Sequence, residues 1–267
     1  LLMWPTLWAL WFAAEGIPGL KTLSIFLVGL IIMRAAGCVI NDYADRHIDG
    51  LVERTKIRPL PAGEITPNQA LWLCAGLLFT ALTLVLMTNP LTIALSFGGL
   101  AVTAIYPFMK RFTHLPQIGL GVAWAWVVPM AFAAHREELP WELWLIFAAI
   151  VVWTVAFDTY YAMVDRADDL KIGVKSTAVL FGRYDLAIIV LLQAATLVLM
   201  FLVGLEFQRG WIYFFGLLVA AAFFANQFRH AQHRERQACF AAFRSNHRVG
   251  MVIFIGIALD YVSKGLP

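Results

Sequence analysis

Long runs of apolar residues recur along the whole chain, and short segments between them carry nearly all of the charge. A helix needs about 20 residues to cross a hydrocarbon core roughly 30 Å thick, and most of the runs approach that length. They cover residues 1–14, 20–40, 70–87, 91–106, 118–134, 141–161, 186–205, 211–228 and 249–262. The pattern predicts an all-α, polytopic membrane bundle of about nine transmembrane helices, with the least sharply defined ends at the short runs 91–106 and 249–262.

Composition supports a membrane location for the whole chain. Hydrophobic residues make up 61% and charged residues 14% of the 267 residues, and the mean hydropathy is +0.76. Soluble domains carry about 25% charged residues, so we interpret residues 1–267 as a single transmembrane domain. Nothing in it resembles a cleaved signal peptide. Cys38, Cys74 and Cys239 lie in or beside apolar runs, which predicts packing roles rather than disulfides or a Cys-based metal site.

Lysine and arginine collect in alternate loops, which follow the second, fourth, sixth and eighth runs. The intervening loops hold only Lys21, Arg136 and Arg209. By the positive-inside rule, the basic loops face the cytoplasm, which predicts a multi-pass protein of the cytoplasmic (inner) membrane. For the basic segment between runs 211–228 and 249–262 we favour a loop that anchors the topology and contacts anionic lipid.

An acidic motif ends the second run. If the helix continues at about 100° per residue, Arg34, Asn41, Asp42, Asp45 and Asp49 fall within an arc of roughly 100°. An aspartate at the centre of a membrane helix costs about 2.5 to 3.5 kcal/mol on insertion scales, and less near the interface. Several of them on one face therefore indicate a function rather than a helix end.

A second acidic motif ends the sixth run, where Asp158, Asp165 and Asp169 cluster within roughly 40°, flanked by Tyr161 and Asp168. Carboxylates that face one another repel, and divalent cations relieve that repulsion. Hard oxygen ligands without a His or Cys cluster favour Mg²⁺ over zinc, and Mg²⁺ keeps coordination positions open for phosphate oxygens. The two motifs therefore predict a magnesium-dependent site for a phosphorylated ligand, with both motifs on the cytoplasmic side.

Basic side chains near the motifs are candidates to bind phosphate oxygens. These candidates are Arg54, Arg58, Lys110, Lys171 and Lys175. Arg34, two turns below Asn41, has two interpretations: it binds a substrate carboxylate, or it neutralises the aspartates. The motifs lie four helices apart, which preserves orientation and predicts a tandem four-helix repeat with the site between its halves.

These motifs resemble those of the UbiA-type membrane prenyltransferases, and most closely of members that prenylate 4-hydroxybenzoate. The resemblance rests on NDYADRHIDG, followed by VERTKIRPLPAGEIT, and on DTYYAMVDRADDLKIGVKSTAVLFG. It covers nearly the whole chain and implies a central cavity with a polar cap and a lateral opening to lipid. Two departures stand out: Ala167 replaces an acidic residue common in relatives, and the segment that precedes their first helix is expected to be missing here.

The resemblance implies transfer of a polyprenyl group from polyprenyl diphosphate to the carbon ortho to the hydroxyl of 4-hydroxybenzoate, with release of diphosphate, in ubiquinone biosynthesis. Its metal ligands map onto Asn41, Asp42, Asp45 and Asp49 in the first motif and onto Asp165 and Asp169 in the second. As a hypothesis, Asp158 polarises the acceptor hydroxyl or takes the ring proton, and Arg34 and Tyr161 contact substrate.

Two alternatives remain open at this stage. One is a related prenyltransferase with another acceptor, such as dihydroxynaphthoate, homogentisate or haem. The other is a secondary transporter whose carboxylates couple ion movement. No nucleic-acid partner is predicted, and the sequence does not indicate an oligomeric state or a donor chain length.

Overall fold

The structure, a computed structural model, describes residues 1–46, 50 and 55–265. These residues form eleven α-helices and no strand. The helices are α1 (Met3–Ala14), α2 (Leu20–Asp45), α3 (Pro67–Val85), α4 (Pro90–Met109), α5 (Pro116–Ala125), α6 (Val127–Arg136), α7 (Leu143–Ile172), α8 (Thr177–Phe181), α9 (Asp185–Glu206), α10 (Trp211–Ala231) and α11 (Arg236–Ser263).

The helix count agrees with the prediction of about nine. Helices α5 and α6 are the two halves of one broken helix, and α8 is a single short turn of five residues. Seven helical segments within the described ranges are long and apolar enough to cross a membrane, as the hydropathy pattern predicts. The predicted all-α membrane bundle is therefore confirmed, and the chain is a multi-pass membrane protein.

The last helix differs from the prediction. The sequence pattern assigned only residues 249–262 to it, whereas α11 begins at Arg236, so most of the predicted basic loop is helical. Cys239, Ala242 and Asn246 are buried at helical spacing on one face, while Arg244 and Arg248 are exposed. The interpretation as a loop was wrong because this amphipathic segment buries one face against the bundle despite its charge.

The most densely filled part of the bundle surrounds α7. Trp153 on α7 and Trp8 on α1 are fully buried, and their rings stack with centroids 5.1 Å apart. The Trp153 indole nitrogen donates to Asn246 Oδ1 at 3.0 Å, and the Trp8 nitrogen donates to the Gly250 carbonyl at 3.1 Å. Since a buried N–H needs a partner inside a membrane, these bonds fix α1 and α7 against α11.

Helices α2, α3 and α4 pack much less tightly. Over its 26 residues α2 buries only Phe26, Ala36, Ala44 and Asp45. The other α2 side chains are at least partly exposed, and several of them line an internal cavity. Each motif helix packs against the helix that follows its loop, α2 against α3 and α7 against α9, as a tandem repeat requires, although the repeat itself stays a prediction.

Helices α10 and α11 approach each other through two glycines. A Cβ atom on Gly216 would lie 3.1 Å from the Val252 carbonyl oxygen and 3.2 Å from the Gly256 Cα atom. Both of these neighbours are backbone atoms, which a rotamer change cannot move. This contact is of the small-residue type that lets membrane helices pack closely.

We expect Gly216→Leu to lower the free energy of unfolding by about 2 kcal/mol, because overpacking against rigid backbone forces the helices apart. Thermal unfolding of the detergent-solubilised protein measures the effect. Gly76→Leu on the exposed face of α3 is the matched control, since a Cβ there meets nothing within 4 Å. Equal stability of the two variants would contradict the close α10–α11 contact.

Candidate active site

The carboxyl-terminal ends of α2 and α7 meet at one polar pocket of about 180 Å³. Asn41 and Asp45 line it from α2, and Asp158, Asp165 and Asp169 line it from α7. The structure thus brings residues of both predicted acidic motifs to a single site. Two predicted site residues, Asp49 and Arg54, lie outside the described residues.

Basic side chains neutralise the negative charge of the first motif. The Lys110 ammonium group forms an ion pair with Asp45, which is only 1% exposed, and the Arg58 guanidinium donates to Asp42 Oδ1 at 2.7 Å. Arg111 donates to the Ala44 carbonyl, which is one of the acceptors left without a helical partner at the end of a helix. The segment after α4 therefore holds the end of α2 in place.

A tight turn after α7 completes the pocket. Gly173 adopts φ of +73°, a left-handed conformation that favours glycine, and its N–H donates to the Asp169 carbonyl. The chain then reverses, so that Lys175 and Ser176 line the pocket. The Lys175 backbone N–H donates to the Lys110 carbonyl at 3.3 Å. This bond joins the loops that follow α4 and α7.

Several pocket residues were absent from the sequence-based prediction, among them Tyr106, Gln117 and Ser176. Ser176 caps α8 by accepting from the Val179 N–H at 3.4 Å, and a Ser before a helix is a readable signal. Gln117 accepts from the Thr177 N–H at 3.2 Å and contacts Asp158. No local pattern marks Gln117 or Tyr106, because only the tertiary fold brings them to the motifs.

An arginine cluster lies behind the second motif. Arg166 donates to the carbonyls of Ala178 and Gly182, both at 2.9 Å, and to Asp185 Oδ2 at 2.7 Å. Asp185 is fully buried and also accepts from the Arg234 Nε at 2.9 Å. The cluster ties the motif-bearing end of α7 to α8, to the start of α9 and to the connection between α10 and α11.

A second, mainly apolar cavity of about 920 Å³ adjoins the polar pocket. The two share part of their lining, including Tyr106, Asp158 and Tyr161, which therefore lie at the junction. Aromatic side chains supply much of the apolar wall. They include Phe79, Phe97, Trp124, Trp126, Phe157, Phe240 and Phe243.

Two basic candidates lie outside the polar pocket. Arg34 lines the apolar cavity rather than the polar pocket, and its guanidinium contacts Cys38 on the next turn. The Lys171 side chain is 76% exposed and lies 4.0 Å from Asp168, away from both cavities. Asp168 in turn pairs with Arg236 of α11 at 2.5 Å. The structure therefore does not bring Lys171 to the site, because α7 continues to Ile172 and turns this side chain outward.

The pocket provides oxygen ligands of the kind that Mg²⁺ prefers. Within the described ranges, no three His, Cys, Asp or Glu side chains group closely enough to form a complete metal site. Mg²⁺, however, is commonly held by one or two carboxylates and completes its octahedron with water and substrate phosphates. Carboxylates from two helices around one pocket, beside Lys110 and Lys175, fit a metal that binds together with a phosphorylated ligand.

Known proteins resemble this chain over nearly its whole length. The model of the UbiA prenyltransferase family matches residues 2–255. The chain is 59% identical to 4-hydroxybenzoate octaprenyltransferase of Chromohalobacter salexigens, across 97% of this chain and 87% of that protein. It is 58% identical to the enzyme of the same name from Azotobacter vinelandii, across 98% and 88%.

Solved structures share the fold. A UbiA homologue from Aeropyrum pernix K1 superimposes with a TM-score of 0.85 at 26% identity, covering 97% of each chain. A UbiA homologue from Archaeoglobus fulgidus bound to GPP and Mg²⁺ gives a TM-score of 0.71 at 20% identity, covering 98% of this chain and 96% of that one.

We expect Arg166→Met to lower the free energy of unfolding by about 3 kcal/mol, because it removes the guanidinium donor from two carbonyls and one of two cations from the buried Asp185. Chemical denaturation in detergent measures the change. Arg183→Met nearby should shift stability by less than about 0.5 kcal/mol, since that side chain is exposed. Similar losses in both variants would argue against the cluster as a structural anchor.

Proposed function

Because the chain belongs to the UbiA prenyltransferase family, we propose that it transfers a polyprenyl group from a polyprenyl diphosphate to 4-hydroxybenzoate. The new bond joins C1 of the prenyl chain to the ring carbon ortho to the hydroxyl, and diphosphate leaves. The observation that carries this proposal is that a polar, acidic pocket adjoins a large apolar cavity and shares part of its lining. One donor molecule requires both environments. Relatives that are 59% and 58% identical and are named for this reaction support the acceptor.

The two acidic motifs are the proposed magnesium sites. Asn41, Asp42, Asp45 and Asp49 would hold one ion, and Asp165 and Asp169 the other. Bound there, Mg²⁺ supplies Lewis-acid stabilisation of the leaving diphosphate. Hard oxygen donors suit Mg²⁺, and the pocket gathers Asn41, Asp45, Asp165 and Asp169 from two helices.

Lysine and arginine side chains would bind the remaining diphosphate oxygens. Arg58, Lys110 and Lys175 all line the polar pocket. As the allylic C–O bond breaks, negative charge grows on the leaving group, and cations already positioned there stabilise it without reorganisation. Lys110 and Arg58 pair with Asp45 and Asp42 in the structure, so both cations already lie beside the proposed metal ligands.

The apolar cavity would protect the allylic cation. Tyr161 lies at the junction of the two cavities, and its ring centroid is 4.8 Å from that of Phe243. Phe157 and Phe240 line the same wall. Aromatic faces stabilise a cation without offering a nucleophile, and a wall of this kind also excludes water.

The acceptor would bind at the junction. Asp158 lines both cavities and is the proposed group that polarises the acceptor hydroxyl or receives the ring proton once the new C–C bond has formed. Arg34 is the proposed partner of the acceptor carboxylate. In the part of the chain that the structure describes, no carboxylate forms an ion pair with Arg34, which favours substrate binding over neutralisation of the aspartates.

The proposed orientation places the motifs at the cytoplasmic surface of the inner membrane. Arg46, Arg58, Lys110, Arg111 and Lys175 lie near the polar pocket, in the loops that the charge pattern assigns to the cytoplasm. The diphosphate donor and 4-hydroxybenzoate would enter from that side, while the prenyl chain enters the bundle from lipid.

The metal assignment is tested with Asp45→Asn and Asp165→Asn. We expect each to lower kcat/KM on the order of 100-fold or more, because the isosteric amide removes a charged metal ligand. Prenyl transfer is measured in membranes supplied with prenyl diphosphate, 4-hydroxybenzoate and Mg²⁺, with product mass as readout. Asp168→Asn is the matched control, since Asp168 pairs with Arg236 outside the pocket. Near-normal transfer by Asp45→Asn or Asp165→Asn would rule out the proposed metal sites.

The role of Arg34 is tested with Arg34→Met. We expect the KM for 4-hydroxybenzoate to rise roughly 10- to 100-fold, the loss expected when one charge-assisted hydrogen bond is removed, while the KM for the donor changes little. The methyl ester of 4-hydroxybenzoate should show nearly equal KM values in the wild type and the variant. A selective rise in the donor KM would instead assign Arg34 to the diphosphate.

A further inference from the structure

The indole ring of Trp126 lies against the backbone of α4 at two consecutive glycines. A Cβ atom on Gly98 would lie 2.6 Å from the indole Cζ2 atom, and one on Gly99 would lie 2.7 Å from Cδ1. Real Cβ contacts are not this short, so any side chain at either position would displace the ring. The indole nitrogen donates to the Leu95 carbonyl at 2.8 Å. The ring is therefore held in a groove that only glycine provides.

Trp126 lies at a break in the helix that packs against α4. Trp126 is the residue between α5, which ends at Ala125, and α6, which begins at Val127. Pro129 follows three residues later and has no N–H to donate to the Ala125 carbonyl, which explains the break.

Trp126 also forms part of the wall of the apolar cavity, at a defined depth. Gly99 and Trp126 both line that cavity, and Tyr106 lines it at the junction with the polar pocket. Gly99 lies seven residues from Tyr106 along α4, which corresponds to about 10 Å at 1.5 Å per residue. The cavity lining continues past this depth to Thr92 and Thr88. Trp126 therefore lies between the part next to the reaction centre and the distal part.

We propose that Trp126, seated against Gly98 and Gly99, determines how long a prenyl chain the enzyme accepts efficiently. This inference rests on the proposed function, because it assigns the apolar cavity to the donor chain. With the ring in its groove, a long chain passes it and fills the distal cavity. A ring displaced into the cavity obstructs that passage, whereas a donor short enough to end before Trp126 is unaffected.

The test compares kcat/KM for a ten-carbon and a forty-carbon donor diphosphate, each with 4-hydroxybenzoate and Mg²⁺. In Gly99→Ala, the added methyl pushes the indole out of its groove. We expect the ratio of the long-donor to the short-donor value to fall about tenfold or more, in line with the cost of overpacking, while transfer from the short donor stays near that of the wild type. Gly76→Ala on the exposed face of α3 is the matched control and should leave the ratio unchanged.

Removal of the Trp126 indole provides a second test of the proposal. Gly99→Ala combined with Trp126→Ala should restore the long-donor to short-donor ratio, because no indole remains to be displaced. An unchanged ratio in Gly99→Ala, or a reduced ratio that the second substitution does not restore, overturns the proposal. If Gly99→Ala does not fold, Gly98→Ala decides: its added methyl would lie 2.6 Å from the indole Cζ2 atom and displaces the same ring, so the ratio should fall, and an unchanged ratio overturns the proposal. If the wild type transfers a prenyl group from neither donor, the proposed function itself is refuted.

Discussion

The stability of this structure depends on cations that neutralise several buried carboxylates at one end of an apolar bundle. Asp45 is almost completely buried and Asp185 completely so, and an unpaired charge at such positions would cost several kcal/mol. Lys110 compensates Asp45, while Arg166 and Arg234 compensate Asp185. The first arrangement lies in the polar pocket and the second behind it. The same electrostatic requirement therefore shapes both the proposed site and its support.

The bundle is filled on one side and hollow on the other. Helix α7 belongs to the tightly packed part through Trp153, yet its far end carries Asp165 and Asp169 into the pocket. Helix α2 buries few residues and lines the large cavity. The rigid half thus holds one acidic motif in place, while the opposite half leaves the volume that a long apolar substrate needs. Loops from α4 and α7 join the halves through Lys110 and Lys175.

Sequence patterns predicted those features that depend on local spacing. Hydrophobic runs predicted the helices, and same-face aspartates predicted which helix ends would share a site. The start of α11 was missed because charged residues interrupt its apolar pattern, although Cys239 and Ala242 are buried at helical spacing. Lys171 was assigned to the phosphate on proximity in sequence, but the length of α7 turns it outward. Gln117 contacts residues of α7 and α8, and Arg166 pairs with Asp185 on another helix. The spacing of residues within a single helix does not predict such contacts.

The proposed chemistry has two conflicting requirements, and both are met at the junction of the two cavities. Departure of diphosphate needs charge and polar ligands, whereas the allylic cation that results needs surroundings without water or nucleophiles. In this structure the change from one environment to the other takes place over a few side chains, with Tyr106, Asp158 and Tyr161 exposed to both. The reacting carbon would lie at that boundary, where one face of the substrate meets cations and the other meets aromatic rings. An acceptor placed there reaches the cation before water does, because the polar pocket is small and the adjoining wall is apolar.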